Sequence, residues 1–184
     1  MRVAALILAA GASTRLGSPK QLVLLAGETL LKRTVRVARE AGCTPIVVVL
    51  GASAEVIQSE CELEDAVIVI NQSWEEGMGA SVRAGVGALQ DVDGCVVMTC
   101  DMPAVTASHL RMLMASGEVT ASGYADRRGV PAYFPASAFA ELMELRGDAG
   151  ARELLRSAHC EELVGGELDV DAVEDLERAR ELFG

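Results

Sequence analysis

Aromatic residues are scarce in this sequence, at 3%, and there are only two histidines in 184 residues. A core must therefore be built from aliphatic side chains. The 51% hydrophobic content, mostly Ala, Val and Leu, suits the helix–sheet packing of an α/β protein. His109 and His159 have no partner motif, so neither a Ser/His/Asp triad nor a zinc cluster is expected. Positive charge is also short. The 16 Lys and Arg stand against 27 Asp and Glu, a net charge of −11 that argues against a general nucleic-acid surface. No window approaches the ~18 consecutive apolar residues of a membrane span. The opening apolar run is too short for a secretory leader and lacks a cleavage pattern. The five cysteines, Cys43, Cys61, Cys95, Cys100 and Cys160, are odd in number and contain no C-x-x-C pair. Reduced thiols in the cytoplasm are the simplest expectation, with Cys95 and Cys100 as small buried side chains at a strand end.

What is present is an alternation of strands and helices. Apolar runs predict strands at Val3–Ala9, Pro45–Leu50, Ala66–Ile70 and Cys95–Thr99. Between them, periodic stretches predict helices at Thr29–Ala41 (stopped by Gly42), from Ser53 as cap to Glu60, at Gly79–Leu89, and from Thr106 as cap to Met114. Further on, Val119–Ser122, Val130–Phe134 and Glu162–Val164 read as strands, and Ser137–Leu145, Ala149–Ala158 and Val173–Leu182 as helices. Ala121–Gly129 reads as a flexible insertion. There are no repeats, low-complexity tracts or linkers, so residues 1–184 are expected to form a single domain. Continuous apolar strands alternating with helices predict a Rossmann-like three-layer sandwich, a mostly parallel sheet with helices on both faces. Ligands in such folds sit beyond the carboxyl ends of the strands.

Four segments fall at those ends. The first strand runs directly into Gly11-Ala-Ser-Thr-Arg15-Leu-Gly17-Ser-Pro-Lys20-Gln21, with no acid before Glu28. Glycine lets the backbone approach an anion, main-chain N–H groups donate to it, and Arg15 and Lys20 neutralise it. After the third strand comes Asn71-Gln-Ser-Trp-Glu-Glu-Gly77-Met-Gly79-Ala-Ser81, where Ser81 at a helix start is placed to donate to a base or phosphate. After the fourth stands Asp101, a hard carboxylate suited to Mg²⁺, which keeps substrate phosphates and water as its other ligands. Ahead of the last helix, Asp169 and Asp171 share one side of an extended segment, and either is a candidate second ligand. Asp171 with Glu174 also has the spacing of a capping box, which would leave Asp169 as the ligand. Arg127, Arg128 and Arg152 are placed either to meet a second anionic substrate or to lie on a solvated surface.

These segments together resemble the molybdenum cofactor cytidylyltransferase family, within the wider group of MobA-like NTP transferases. The resemblance is carried by LAAGASTRLGSPKQL (Leu8–Leu22), NQSWEEGMGASVRAG (Asn71–Gly85), CDMP (Cys100–Pro103), GVPAYF (Gly129–Phe134), GDAGAR (Gly147–Arg152) and DVDAVEDLE (Asp169–Glu177), in the family's order. It implies a fold of the nucleotide-diphospho-sugar transferase type and transfer of CMP from CTP to the phosphate of molybdopterin, with Mg²⁺ and loss of pyrophosphate. Leu8, Ala9, Ala10, Gly11 and Ser81 would then border the nucleoside, Arg15 and Lys20 the triphosphate, and Asp101 with Asp169 or Asp171 the metal. A molybdoenzyme or its chaperone is an implied partner; nucleic acid and membrane are not. A guanylyltransferase, a sugar-phosphate nucleotidyltransferase and a non-catalytic accessory factor remain as alternatives. The chain departs from the family pattern at Cys100 (usually Gly), Val130 (often His) and Ala172-Val173 (usually Thr-Pro).

Overall fold

The computed structural model describes residues 1–63, 65–147 and 151–184. Its central sheet has seven strands, in the order β5-β4-β1-β6-β8-β7-β9. These are β1 (Val3–Ala9), β4 (Ile46–Leu50), β5 (Ala66–Ile70), β6 (Gly94–Thr99), β7 (Thr120–Tyr124), β8 (Arg127–Pro135) and β9 (His159–Glu162), while β2 (Leu24–Leu25) and β3 (Glu28–Thr29) form a separate small ribbon. β8 pairs antiparallel with both of its neighbours and the other pairings in this sheet are parallel, so the mostly parallel Rossmann-like sheet stands.

The pleat explains the three layers. Along β1, Ala5, Ile7 and Ala9 face one core and Ala4, Leu6 and Leu8 the other. β4 divides likewise, with Ile46, Val48 and Leu50 against Val47 and Val49. The first core is closed by Leu31, Val35 and Ala38 of α1 (Leu30–Glu40), Ile57 of α2 (Ala54–Glu60) and Leu110 and Leu113 of α4 (Ala107–Ala115). The second is closed by Val82 and Val86 of α3 (Met78–Val86), Leu142 of α5 (Phe139–Met143) and Leu155 of α6 (Arg152–Leu155). α3 lies close on the sheet because Gly85 has no side chain: a Cβ there would stand 2.0 Å from Leu6 Cδ1. α7 (Val173–Phe183) packs through Ala179 on Leu25 and Leu30, next to the small ribbon.

Several expectations shift. Thr29 and Thr106 cap α1 and α4, each hydroxyl accepting from the backbone N–H three residues on. Ser53 precedes α2 but makes no side-chain cap, because its φ of 58° turns the backbone left-handed. Ala121–Gly129 is part of the β7–β8 hairpin of the central sheet rather than an insertion. Ala125 (φ 47°) and Asp126 (φ 56°) form its two-residue tip, whose positive φ values match the twist of the flanking strands. The last short strand lies at His159–Glu162 rather than Glu162–Val164, as an edge strand fixed by pairing with β7. The helix expected at Ser137–Leu145 is the shorter α5 after a turn of 3₁₀ helix. Part of the expected Ala149–Ala158 helix and of the GDAGAR segment lies outside the described residues; α6 is the described remainder. No helix among the described residues is long and apolar enough to cross a membrane.

His109 locks α4 to the sheet. Ser122 Oγ donates to the Pro131 carbonyl at 2.6 Å and therefore accepts from His109 Nε2–H at 2.8 Å. Burial holds the His109 pKa below its ordinary value, against a weaker opposing effect of Glu161. The unfolded chain then takes up this proton first as pH falls, so stability due to His109 is present above about pH 6.5 and is lost below it. Urea unfolding at pH 8, 7, 6 and 5 checks this: His109→Gln is expected to show a shallower loss between pH 7 and 5 than the parent. Parallel curves would show that this residue does not carry the effect.

Candidate active site

The carboxyl ends of β1 and β6 open into a cavity of about 370 Å³. Leu8, Ala9, Ala10, Gly11 and Ser81 line it, together with Lys20 and Asp101. A neighbouring cavity of about 330 Å³ shares Lys20, Met78, Thr99 and Asp101 with it and adds Asp169 and Asp171. The strand-end residues singled out in the sequence thus gather at two adjoining hollows. Arg15 is the exception. It stands outside their walls, mostly exposed, with Nη2 3.6 Å from Asp171 Oδ2.

Lys20 occupies the junction. Its Nζ donates to Asp101 Oδ2 at 2.5 Å and to Asp171 Oδ1 at 2.6 Å. Burial opposes the charge on Lys20, but the two carboxylates outweigh it and raise the pKa above the ordinary lysine value. Three stretches of chain are aligned to make this contact. The Lys20 N–H is held by Ser13 Oγ at 3.0 Å, Asp101 follows directly on β6, and the Val170 N–H donates to the Asp101 carbonyl at 2.9 Å. Asp175, not Asp171, tends the start of α7: its Oδ2 accepts from the N–H groups of Asp171 and Ala172 at 3.2 and 2.8 Å. The expected Asp171 cap is therefore replaced, and the Asp171 carboxylate is left for Lys20. Burial, reinforced by the charges of Asp101 and Asp171, raises the pKa of Asp169.

Two residues of the cavity wall were assigned no role from the sequence. Gln21 is fully buried, and its Nε2 donates to the carbonyls of Ala9 at 2.7 Å and Gly11 at 3.3 Å. It shapes the loop from within while also lining the first cavity. Trp74 forms another part of that wall, packed so close to Gly51 that a Cβ there would lie 2.6 Å away. The available signal was a lone tryptophan at a strand end in a chain poor in aromatics. Ser81 Oγ accepts from Asn71 Nδ2 at 3.0 Å, and Asn71 Oδ1 accepts from the Ser73 N–H at 3.0 Å. This orients Ser81 and leaves its hydroxyl proton available to a ligand. Among the described residues, no group of three His, Cys, Asp or Glu forms a ready-made metal cage.

A mostly parallel α/β sheet with its cavities at the strand ends is the architecture of the nucleotide-diphospho-sugar transferases, a Rossmann-like class. A family model described as the MobA-like NTP transferase domain matches residues 5–163, and the chain belongs to that family. It is 34% identical over 195 residues to the nicotine blue oxidoreductase of Paenarthrobacter nicotinovorans, covering 96% of this chain and 95% of that one. It is 33% identical over 164 residues to a probable molybdenum cofactor guanylyltransferase of Opitutus terrae, covering 84% and 76%. Among solved structures, Rv0371c from Mycobacterium tuberculosis H37Rv superposes with a TM-score of 0.86 at 33% identity, over 98% of this chain and 99% of that one. A manganese complex of Rv0371C superposes with a TM-score of 0.83 at 29% identity, again over 98% and 99%.

The loop depends on Gln21. Gln21→Leu keeps the volume but removes the donor, leaving the Ala9 carbonyl short of a partner, and is expected to cost about 1–3 kcal/mol. Chemical denaturation measures it, and a midpoint equal to the parent's would show that the amide does not hold the loop.

Proposed function

We propose that this chain transfers a nucleotidyl group from a nucleoside triphosphate to a phosphorylated acceptor, with CTP as donor and the phosphate of molybdopterin as acceptor. The observation that carries the reading is Lys20 Nζ, shared by Asp101 and Asp171 where the two cavities meet. One cavity is suited to the nucleoside and the other to an acceptor, so the transferred phosphorus would lie at their junction. The CTP assignment is supported by the resemblance of the Ala9-Ala10-Gly11 loop and Gln21 to the cytidylyl branch.

The donor set fits a divalent cation. Asp101, Asp169 and Asp171 bring three carboxylates against the charges of Lys20 and Arg15. A triphosphate adds more negative charge, and it cannot approach these acids without a counter-ion. Mg²⁺ is satisfied by one or two carboxylates plus phosphate oxygens and water, so a protein cage is not needed. Asp101 with Asp171 or Asp169 would hold it, and it would neutralise phosphate charge and orient the α-phosphoryl group. Manganese in the Rv0371C complex agrees with a divalent ion in the family.

The protein's own part is positioning and charge. Main-chain groups of Ala9, Ala10 and Gly11 would border the nucleoside, with Ser81 donating to it and Trp74 closing the wall. Lys20 would follow the triphosphate, with Arg15 at its open side. An acceptor phosphate oxygen forms a bond to the α-phosphorus, the bond to the β-phosphate oxygen breaks, and pyrophosphate departs. A phosphate is already ionised at neutral pH, so the step asks for neither a protein nucleophile nor a strong base.

Lys20→Ala and Asp101→Ala are each expected to lower turnover by about 10²-fold or more. Pyrophosphate release with purified molybdopterin and CTP measures it, and unchanged release in both variants would refute the assignment. Melting temperatures with CTP, GTP, UTP and ATP, each with Mg²⁺, test the base. Bound ligand stabilises in proportion to the logarithm of concentration over Kd, so CTP is expected to give the largest rise. A larger rise with GTP moves the reading to guanylyl transfer. Nucleotide binding without pyrophosphate release favours an accessory role. A second chemistry is favoured by the relative named nicotine blue oxidoreductase. A redox change of nicotine blue on mixing with the protein, with no pyrophosphate released, would support it instead.

A further inference from the structure

A third cavity, of about 580 Å³, lies beside the β7–β8 hairpin and α6. Arg127, Arg128, Arg152 and Arg156 all line it, with Asp126 and Glu162 as its acids. Arg156 pairs with Glu153 at 3.2 Å. Among the described residues, no carboxylate comes within ion-pair distance of Arg127, Arg128 or Arg152. That is a notable distribution in a chain with 27 acidic and 16 basic residues, where acids are available to quench any cation. Two of the arginines are also held in place. Arg127 lies over the Tyr124 ring, 5.0 Å from its centroid, and Arg128 Nη1 donates to the Arg156 carbonyl. The guanidinium fork matches the oxygens of a phosphate or carboxylate, and fixing it in advance lowers the entropy lost on binding.

The cavity is not isolated. Tyr124, Arg127, Arg128, Arg152 and Leu155 also line the hollow that holds Asp169, Asp171 and Lys20. A molecule seated between the arginines therefore reaches the junction with its other end. We propose that this cavity is an anion subsite for the acceptor, and that the acceptor carries a second anionic group remote from the phosphate that reacts. The inference rests on the two-substrate reading above and adds a substrate class to it: an elongated molecule with acidic groups at two places.

Calorimetry with fructose 1,6-bisphosphate and fructose 6-phosphate as probes tests it, since the two differ by one anionic group. The bisphosphate is expected to bind the parent protein about tenfold more tightly, as one extra charge-assisted contact allows. Arg127→Gln and Arg152→Gln are each expected to remove most of that advantage. Arg39→Gln, on α1 at the opposite face of the sheet, controls for the loss of one positive charge and is expected to retain it. Equal affinities for the two sugars, or an advantage that survives both substitutions, would overturn the proposal. Binding of a non-hydrolysable CTP analogue is measured alongside. Its absence in the parent, with the arginine-dependent advantage intact, counts against the nucleotidyl reading and leaves the anion subsite standing.

Discussion

One ammonium group between two carboxylates organises the working edge of this molecule. Lys20, Asp101 and Asp171 come from the start, middle and end of the chain, and each is set by a different device: a loop bonded to Ser13, the end of β6, and an extended segment bonded to Asp101. Such a cluster contributes little net stability, because desolvating charges offsets much of their attraction. Its value is placement. The lysine acts as a tethered counter-ion to both acids.

The sequence made the central layers legible for a simple reason. β1, β4 and β6 are buried on both faces, so their apolar runs are continuous and cannot be read as surface. The outer half of the sheet was harder. β9 is a run of His, Cys and two Glu that is a strand because β7 offers it a partner, and local composition gives no hint of that. The hairpin tip Ala125-Asp126 lacks glycine, so its left-handed turn was missed and the hairpin was read as an insertion. At the site, acids and cations at strand ends were visible. The inward-facing amide of Gln21 and the displacement of Asp171 by Asp175 as the capping group were not, because both depend on side-chain direction after folding.

The two ends of the site are built from different materials. The end proposed for the nucleoside has the β1 loop and small residues on one wall, braced by Gln21, and Trp74 and Met78 on another. The distal end is made of long charged side chains on a hairpin and a short helix. A shared fold does not fix chemistry, and relatives of this chain carry both transferase and oxidoreductase names.

The reversed direction of β8 is what brings that hairpin to the ligand edge. Because β7 runs parallel to β6 and β8 returns, the polypeptide turns around beside Asp101 at an exposed two-residue tip rather than through a crossover. Changes in the length or charge of that tip would leave the sheet interior undisturbed. Under the proposed reading, acceptor preference in such a chain is free to drift over evolutionary time at a single surface corner, while the Lys20–Asp101–Asp171 cluster behind it stays fixed.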